Sequence, residues 1–401
     1  MKRKLLIVGI TMNAAGSERS FLEFAENIDY SEWDVTLLLA KAAGEFMHLV
    51  PKQINVKEMD GGEIFLIDRS NAKKIIFNNY IKKNPLRVFP LGVSVLEILF
   101  SRGRKRTYAK NRLWLKVMKT MPKFTGEYDA AIAYWGDRTM FYTADKVNAK
   151  RKITWLHFDF NEPPREKKLY EKYFLKFDKV VTVSKRIEQT LVDEIPSISN
   201  IVMTVENFIN EKKIRRLSEE ECLLDGEKEA IKLLTVGRIC EQKGYDMAMP
   251  AVKRLLDEGY NIKWYIIGQG EGEYYETLKR KVSADGALVK KVIFLGTTDN
   301  PYKYMRASDI YFQPSRHEGK PIAVEEAKIL CKPIVVTAFT SAEEQLRSCA
   351  LGAIVEISED GIYGGLKTLI DDAEKRNLLV KTLNDEKAYT ENSETVRNIL
   401  T

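Results

Sequence analysis

Two α/β domains, each a parallel sheet with helices on both faces, are the fold class this sequence predicts. Three observations carry that expectation. The 401 residues exceed one ordinary core, at roughly 100–200 residues per domain. Short β-branched or apolar runs alternate with amphipathic stretches, the rhythm of βα units. That rhythm gives way to a polar, charged stretch from Asn210 to Glu229 and then restarts.

In the first half, Leu5–Val8, Val35–Leu39, Ala130–Tyr134, Ile153–Leu156 and Val180–Val183 read as buried strands. Helical patterns fall at Ser17–Ile28, Glu166–Lys176 and Lys185–Asp193. In the second half the strands are Ile231–Val236, Trp264–Ile267, Val292–Leu295, Ile310–Phe312 and Ile334–Val336. The helices there are Tyr245–Glu258, Glu273–Val282, Ile322–Leu330 and Ala342–Arg347. The change of composition sets a boundary near 208–212, giving an N-terminal domain over 1–209 and a second over 210–384. A final segment, 385–401, is read as a helix.

Bulk composition narrows the class. An apolar fraction of 44% with 10% aromatics suits a soluble globular protein. Cys222, Cys240, Cys331 and Cys349 form no C-x-x-C pair and no zinc spacing, which favours reduced thiols in a cytoplasmic protein. The basic start Met1-Lys2-Arg3-Lys4 is followed by too short an apolar run for a signal peptide and reads as a first strand. Val88 to Phe100 is the longest apolar candidate for a membrane span, but it is short and carries Glu97.

The net charge of +7 is local. Segment 82–123 holds twelve Lys or Arg against the single acid Glu97, and the remainder of the chain is net negative. The segment reads as a helical insertion in the first βα series. Phe89, Phe100, Tyr108 and Trp114 interleave with its cations. Such a patch suits an anionic membrane surface or a phosphate-bearing partner. A merely solvated basic face is the plainer reading, and nucleic acid is the least favoured partner.

Ligands of open α/β sheets bind beyond the carboxyl ends of strands, so residues just after strands are the candidates. Asn13-Ala14-Ala15-Gly16-Ser17-Glu18 follows the first strand and opens a helix, whose free N–H groups suit an anion. Gly237-Arg238 through Lys243-Gly244 places two cations at a strand end, where they can neutralise a diphosphate without metal. Ile266-Ile267-Gly268-Gln269-Gly270-Glu271-Gly272-Glu273 reads as a glycine turn. A dinucleotide fingerprint would need glycine at 273. Gln313 to Ala327 joins a strand, a loop with Glu318, and a helix opened by Pro321 as its first residue. Glu326 lies on that helix; Glu325 competes with it, and only the spacing from Glu318 favours Glu326.

Taken together, these motifs resemble the retaining glycosyltransferases of the GT-B fold, particularly the large family 4. The E-x7-E pair Glu318 and Glu326, the G-R and K-G pairs, the I-G-x-G turn and the glycine loop before Glu18 occur in the family's order over nearly the whole chain. The resemblance implies two Rossmann-like domains whose parallel sheets face each other across a cleft, with 385–401 returning to the N-terminal domain. It implies that Arg238 and Lys243 hold the donor diphosphate, Glu326 the ribose, and Glu318 the transferred sugar. Gly16, Gly237, Gly268, Gly319, Lys320, Pro321 and Ile322 would line the donor site, and Gly296 to Tyr302 would lie near the base. His157 would face the sugar or acceptor, with Asp159, Trp135, Asp137 and Arg138 as further acceptor candidates.

The implied reaction is transfer from a nucleoside-diphosphate-sugar, a UDP-sugar favoured over a GDP-sugar, with retention and without metal or prosthetic group. The implied acceptor is a saccharide or lipid-linked saccharide, as in bacterial surface polysaccharide synthesis, used in the cytoplasm or at the inner membrane face. Two departures leave the donor sugar open: Ala15 stands where the family often has glycine, and Lys320-Pro321 where many members have Phe-Gly. The rival readings are a catalytically silent GT-B protein that binds a partner, and another GT-B sugar-nucleotide enzyme such as an epimerase.

Overall fold

Among the described residues, thirteen strands fall into two all-parallel sheets. The computed structural model describes residues 2–67, 71–222, 224, 229–270, 272–385 and 393–400. Glu271 of the glycine turn, 223 and 225–228 of the polar stretch, and 386–392 and 401 of the C-terminal segment lie outside the described residues.

Contacts divide the chain into two units. The first takes residues up to Asn13, Phe24–Glu206 and the C-terminal helix Ser393–Leu400; the second takes Ala14–Glu23 and the residues from Asn207 onward to 385. The division differs from the sequence boundary in two places: the loop and first turns after the first strand group with the second unit, and so do residues 207–209.

The first sheet is built from β1 (Arg3–Gly9), β2 (Trp33–Leu39), β3 (Asn55–Glu58), β4 (Tyr128–Ala133), β5 (Ala149–Leu156), β6 (Lys179–Thr182) and β7 (Val202–Thr204). Its order is β3-β2-β1-β4-β5-β6-β7. Central strands are covered on both faces, so they read as unbroken apolar runs such as Leu5-Leu6-Ile7-Val8, all fully buried. The edge strands β3 and β7 lack that signature. β3 is Asn-Val-Lys-Glu and largely exposed, which is why periodicity misses it.

The second sheet contains β8 (Ile231–Val236), β9 (Ile262–Ile267), β10 (Val292–Gly296), β11 (Ile310–Gln313), β12 (Ile334–Thr337) and β13 (Ala353–Val355). Its order is β10-β9-β8-β11-β12-β13. The order reverses between β8 and β11. This is the switch point at which the loops leaving two neighbouring strands diverge and open a crevice. Trp264 is fully buried and donates Nε1–H to Thr235 Oγ1 at 2.9 Å, and Thr235 donates to the Phe312 carbonyl at 2.7 Å. Strands β9, β8 and β11 are thereby pinned together immediately below that crevice.

The 82–123 segment forms two helices, Val88–Phe100 and Gly103–Met118, inserted before β4. Trp114 anchors the second on the first unit's core, donating Nε1–H to the Ile64 carbonyl at 2.9 Å. Among the described residues no helix is long and apolar enough to cross a membrane.

Candidate active site

The second unit gathers its chemistry at the β8/β11 switch point. After β8, Gly237 and Arg238 lead into one helical turn, Glu241–Lys243, closed by Gly244 in the left-handed conformation at φ 69°. A side chain at Gly244 would also strike the Pro314 carbonyl, so the glycine lets this loop lie against the loop after β11. Two further bonds join the loops: Arg316 N–H donates to the Gln242 carbonyl at 2.8 Å, and Gln242 Nε2 to the His317 carbonyl at 3.0 Å.

This seam brings Lys243 to Glu318. The ammonium lies 2.6 Å from Glu318 Oε1, and both side chains are almost wholly enclosed, 14% and 7% exposed. The same oxygen accepts from Ser315 Oγ at 2.5 Å and Gln313 Nε2 at 3.3 Å. Gln313 is held in turn by Tyr311, whose hydroxyl donates to its Oε1 at 2.6 Å. Glu318 Oε2 takes no hydrogen bond from the described residues, and Lys243 has three N–H donors with one used on Glu318. The pair thus keeps an open acceptor and open donors side by side. Arg238 is exposed, and its side chain makes no ion pair or hydrogen bond among the described residues.

A second pair clamps the seam. Arg316 donates Nη1 to Asp246 Oδ1 at 2.8 Å and Nη2 to Oδ2 at 2.6 Å, and Nη1 also reaches the Glu241 carbonyl at 2.6 Å. Burial opposes the Asp246 charge, but the bonds from Arg316 and from the Tyr274 hydroxyl outweigh it and hold the carboxyl below its usual range. Arg316 is absent from the residues expected at the site. A bidentate arginine is a geometric fact, invisible in a lone Arg beside a Glu.

Glu326 sits on the helix Ile322–Ile329, whose first turn lies beside this seam. Pro321 is the residue before that helix, at φ −64° and ψ 118°, so Ile322 rather than proline is its first residue. Glu326 and Glu325 part company clearly. Glu326 accepts from the Tyr302 hydroxyl at 3.0 Å and lies 3.8 Å from Arg19 Nε. Burial pushes its carboxyl up, and Arg19 and Tyr302 oppose that rise. Glu325 is fastened to Gln345 Nε2 and Lys328 Nζ, both at 2.9 Å. Arg19, from the loop-proximal turns of the helix Gly16–Glu26, also donates to the Tyr302 hydroxyl at 2.8 Å. Tyr302 packs its ring with Ile209, Ile214 and Ile329, so what it offers is the hydroxyl.

The glycines divide by role. A Cβ on Gly268 would lie 2.0 Å from the Gly237 carbonyl, so Gly268 serves the close approach of the β8 and β9 ends. At Gly16 a Cβ would meet nothing within 4 Å. The stretch spanning these motifs, residues 224–383, matches the family model described as Glycosyl transferases group 1.

Over that stretch the chain is similar to the group 1 glycosyltransferases. An uncharacterized glycosyltransferase of Methanocaldococcus jannaschii is 26% identical over 295 residues, 69% of this chain and 66% of that protein. The Campylobacter jejuni N-acetylgalactosamine-N,N'-diacetylbacillosaminyl-diphospho-undecaprenol 4-alpha-N-acetylgalactosaminyltransferase is 29% identical over 149 residues, 36% of this chain and 38% of that protein. These matches span less than two thirds of the relatives' lengths. The crystal structure of Anabaena HepE in complex with UDP and glucose is similar with a TM-score of 0.70 at 14% identity, over 99% of this chain and 98% of that one. The fold is the GT-B type, two Rossmann-like α/β domains.

In the first unit, the residues expected to meet an acceptor separate into two groups. His157 follows β5, its ring 4.8 Å from Tyr134 and stacked on Trp155 at 6.2 Å. Trp135 follows β4, edge-on to Tyr134 at 5.1 Å. Asp159 caps its own loop by accepting from Asn161 N–H at 2.8 Å. Asp137 and Arg138 are engaged by other groups of the unit. Asp137 pairs with buried Arg165 at 3.0 Å, and Arg138 donates to the Phe65 carbonyl while lying over the Trp114 ring. Arg165, which stacks on Phe158 at 3.8 Å and binds the carbonyls of Asp159, Phe160 and Pro163, organises this loop. Its role rests on partners that no local motif announces.

Proposed function

We propose that this glycosyltransferase moves a sugar from a nucleoside-diphosphate-sugar to a saccharide or lipid-linked saccharide, with retention at the anomeric carbon. The observation that carries the reading is the buried Lys243–Glu318 pair at the switch point, with exposed Arg238 leaving the same strand. Arg238 and the remaining Lys243 donors face a diphosphate and stabilise it as the leaving group. Glu318 Oε2 accepts from a hydroxyl of the transferred sugar, and Glu326 accepts from the ribose. The N–H groups of the first turn at Ile322 add a dipole pointed at phosphate.

In the proposed step the bond from the anomeric carbon to the donor phosphate oxygen breaks as the acceptor oxygen bonds to the same face. The acceptor proton passes to a phosphate oxygen of the departing diphosphate. His157 orients the sugar or the acceptor. A UDP-sugar is the favoured donor: HepE of Anabaena was crystallised with UDP-glucose, and a similar Escherichia coli enzyme is a UDP-Gal:alpha-D-GlcNAc-diphosphoundecaprenol alpha-1,3-galactosyltransferase. The latter and the Campylobacter relative support a lipid-linked acceptor in surface polysaccharide assembly, at the inner membrane face.

The test is a panel of UDP- and GDP-sugars incubated with the protein and a bacterial lipid extract. Transfer predicts nucleoside diphosphate release only when an acceptor is present, with the donor's anomeric configuration kept in the product. Conversion of the donor sugar without any acceptor would replace transfer by an epimerase-type reaction.

A further inference from the structure

We propose that the helix Val88–Phe100 docks this protein on an anionic lipid bilayer, its apolar face in the acyl boundary and its basic flanks among the lipid phosphates. The helix is inside out for a globular protein. Phe89, Val93, Leu96 and Phe100 are 77%, 64%, 54% and 85% exposed, and their spacing of four, three and four residues lines one face. Val88, Val95 and Leu99 are exposed on the adjoining stripe. A surface helix ordinarily turns this stripe to the core.

The opposite side fixes the helix to the unit. Leu91 packs on the core, and buried Ser94 accepts from Lys116 Nζ at 2.6 Å. Glu97, the segment's only acid, pairs with Arg112 at 2.8 Å. The outward face is therefore apolar, contiguous and without an uncompensated negative charge.

Its surroundings select the partner. Lys82 and Lys83 precede the helix, and Arg102, Arg104, Lys105 and Arg106 follow it, all exposed. Cations at both ends of an apolar stripe match a layer of phosphates above acyl chains. Two copies of this face would bring like charges together. Thirteen residues span about 20 Å at ~1.5 Å per residue, short of the ~30 Å hydrocarbon core, so the helix lies in the interface rather than across it. The proposal stands on the first unit alone and does not depend on the donor or the reaction.

The test is flotation of the full chain with vesicles of phosphatidylglycerol and phosphatidylcholine, compared with phosphatidylcholine alone. The wild type floats with the anionic vesicles. A Phe89→Ser/Phe100→Ser variant partitions roughly tenfold less or weaker still, with an unchanged melting temperature because both rings are already in water. Phe100→Trp shows blue-shifted emission that brominated acyl chains quench. Three results would overturn the proposal: no binding to anionic vesicles, binding undiminished in the double variant, or a wild-type dimer that the same substitutions dissolve.

Discussion

Lys243 and Glu318 stand 75 residues apart in sequence and 2.6 Å apart in space, on the two loops that leave the β8/β11 switch point. Breaking the pair strands a charge in a nearly closed site. Lys243→Met leaves the Glu318 carboxylate without its cation, and a stability loss on the order of 3 kcal/mol is expected. Glu318→Gln keeps the shape and leaves an amide oxygen to accept from the Lys243 ammonium, so it costs less stability while lowering turnover. Denaturant unfolding of both variants checks the ranking; a loss in Lys243→Met no larger than that in Glu318→Gln would contradict it.

Glu325 and Glu326 make a matched control. Glu326→Gln is expected to weaken nucleotide affinity about tenfold, because a ribose hydroxyl loses its charged acceptor. Glu325→Gln, whose carboxylate is spent on Gln345 and Lys328, lowers the melting temperature and leaves affinity in place. Calorimetric titration with UDP separates the two, and a reversed pattern would reassign the ribose contact.

The Asp246–Arg316 clamp predicts a pH signature. The Asp246 carboxyl is held below its ordinary range in the folded state. Its contribution is therefore present above the unfolded value of about 3.9 and disappears as pH falls through the lower folded value. Asp246→Asn should melt earlier than wild type at neutral pH, with the gap closing only below about pH 4. A gap that stays constant into acid would show that the carboxylate charge is not what stabilises the seam.

The glycines give a steric prediction. Gly268→Ala places a methyl against the Gly237 carbonyl, 2.0 Å from the ideal position. A loss of about 3 kcal/mol or failure to fold follows. Gly16→Ala meets nothing within 4 Å and should leave the melting temperature unchanged. Unfolding curves of the two variants decide the contrast.

Much of this was legible in the residues, and the limits have physical causes. Buried central strands such as Leu5–Val8 and Ile231–Val236 announce themselves because both faces are covered. The exposed edge strand β3 does not. Glu318, Glu326 and Lys243 were accessible through spacing, since one loop and one helix turn place them. Arg316, Arg19 and Arg165 were not, because their partners lie far away in sequence or in loops of no fixed pattern. The partners of Asp137 and Arg138 were hidden for the same reason: Arg165 and the Phe65 carbonyl reach them from separate loops.

Arg238 offers the most direct test of the diphosphate role, because it is exposed and has no ion pair among the described residues to lose. The measurement is UDP affinity of wild type and Arg238→Ala by isothermal titration, with melting temperatures taken alongside. The account predicts an affinity at least about tenfold weaker, from loss of a charge-assisted phosphate contact, at an unchanged melting temperature. Equal UDP affinity in the two proteins would contradict it.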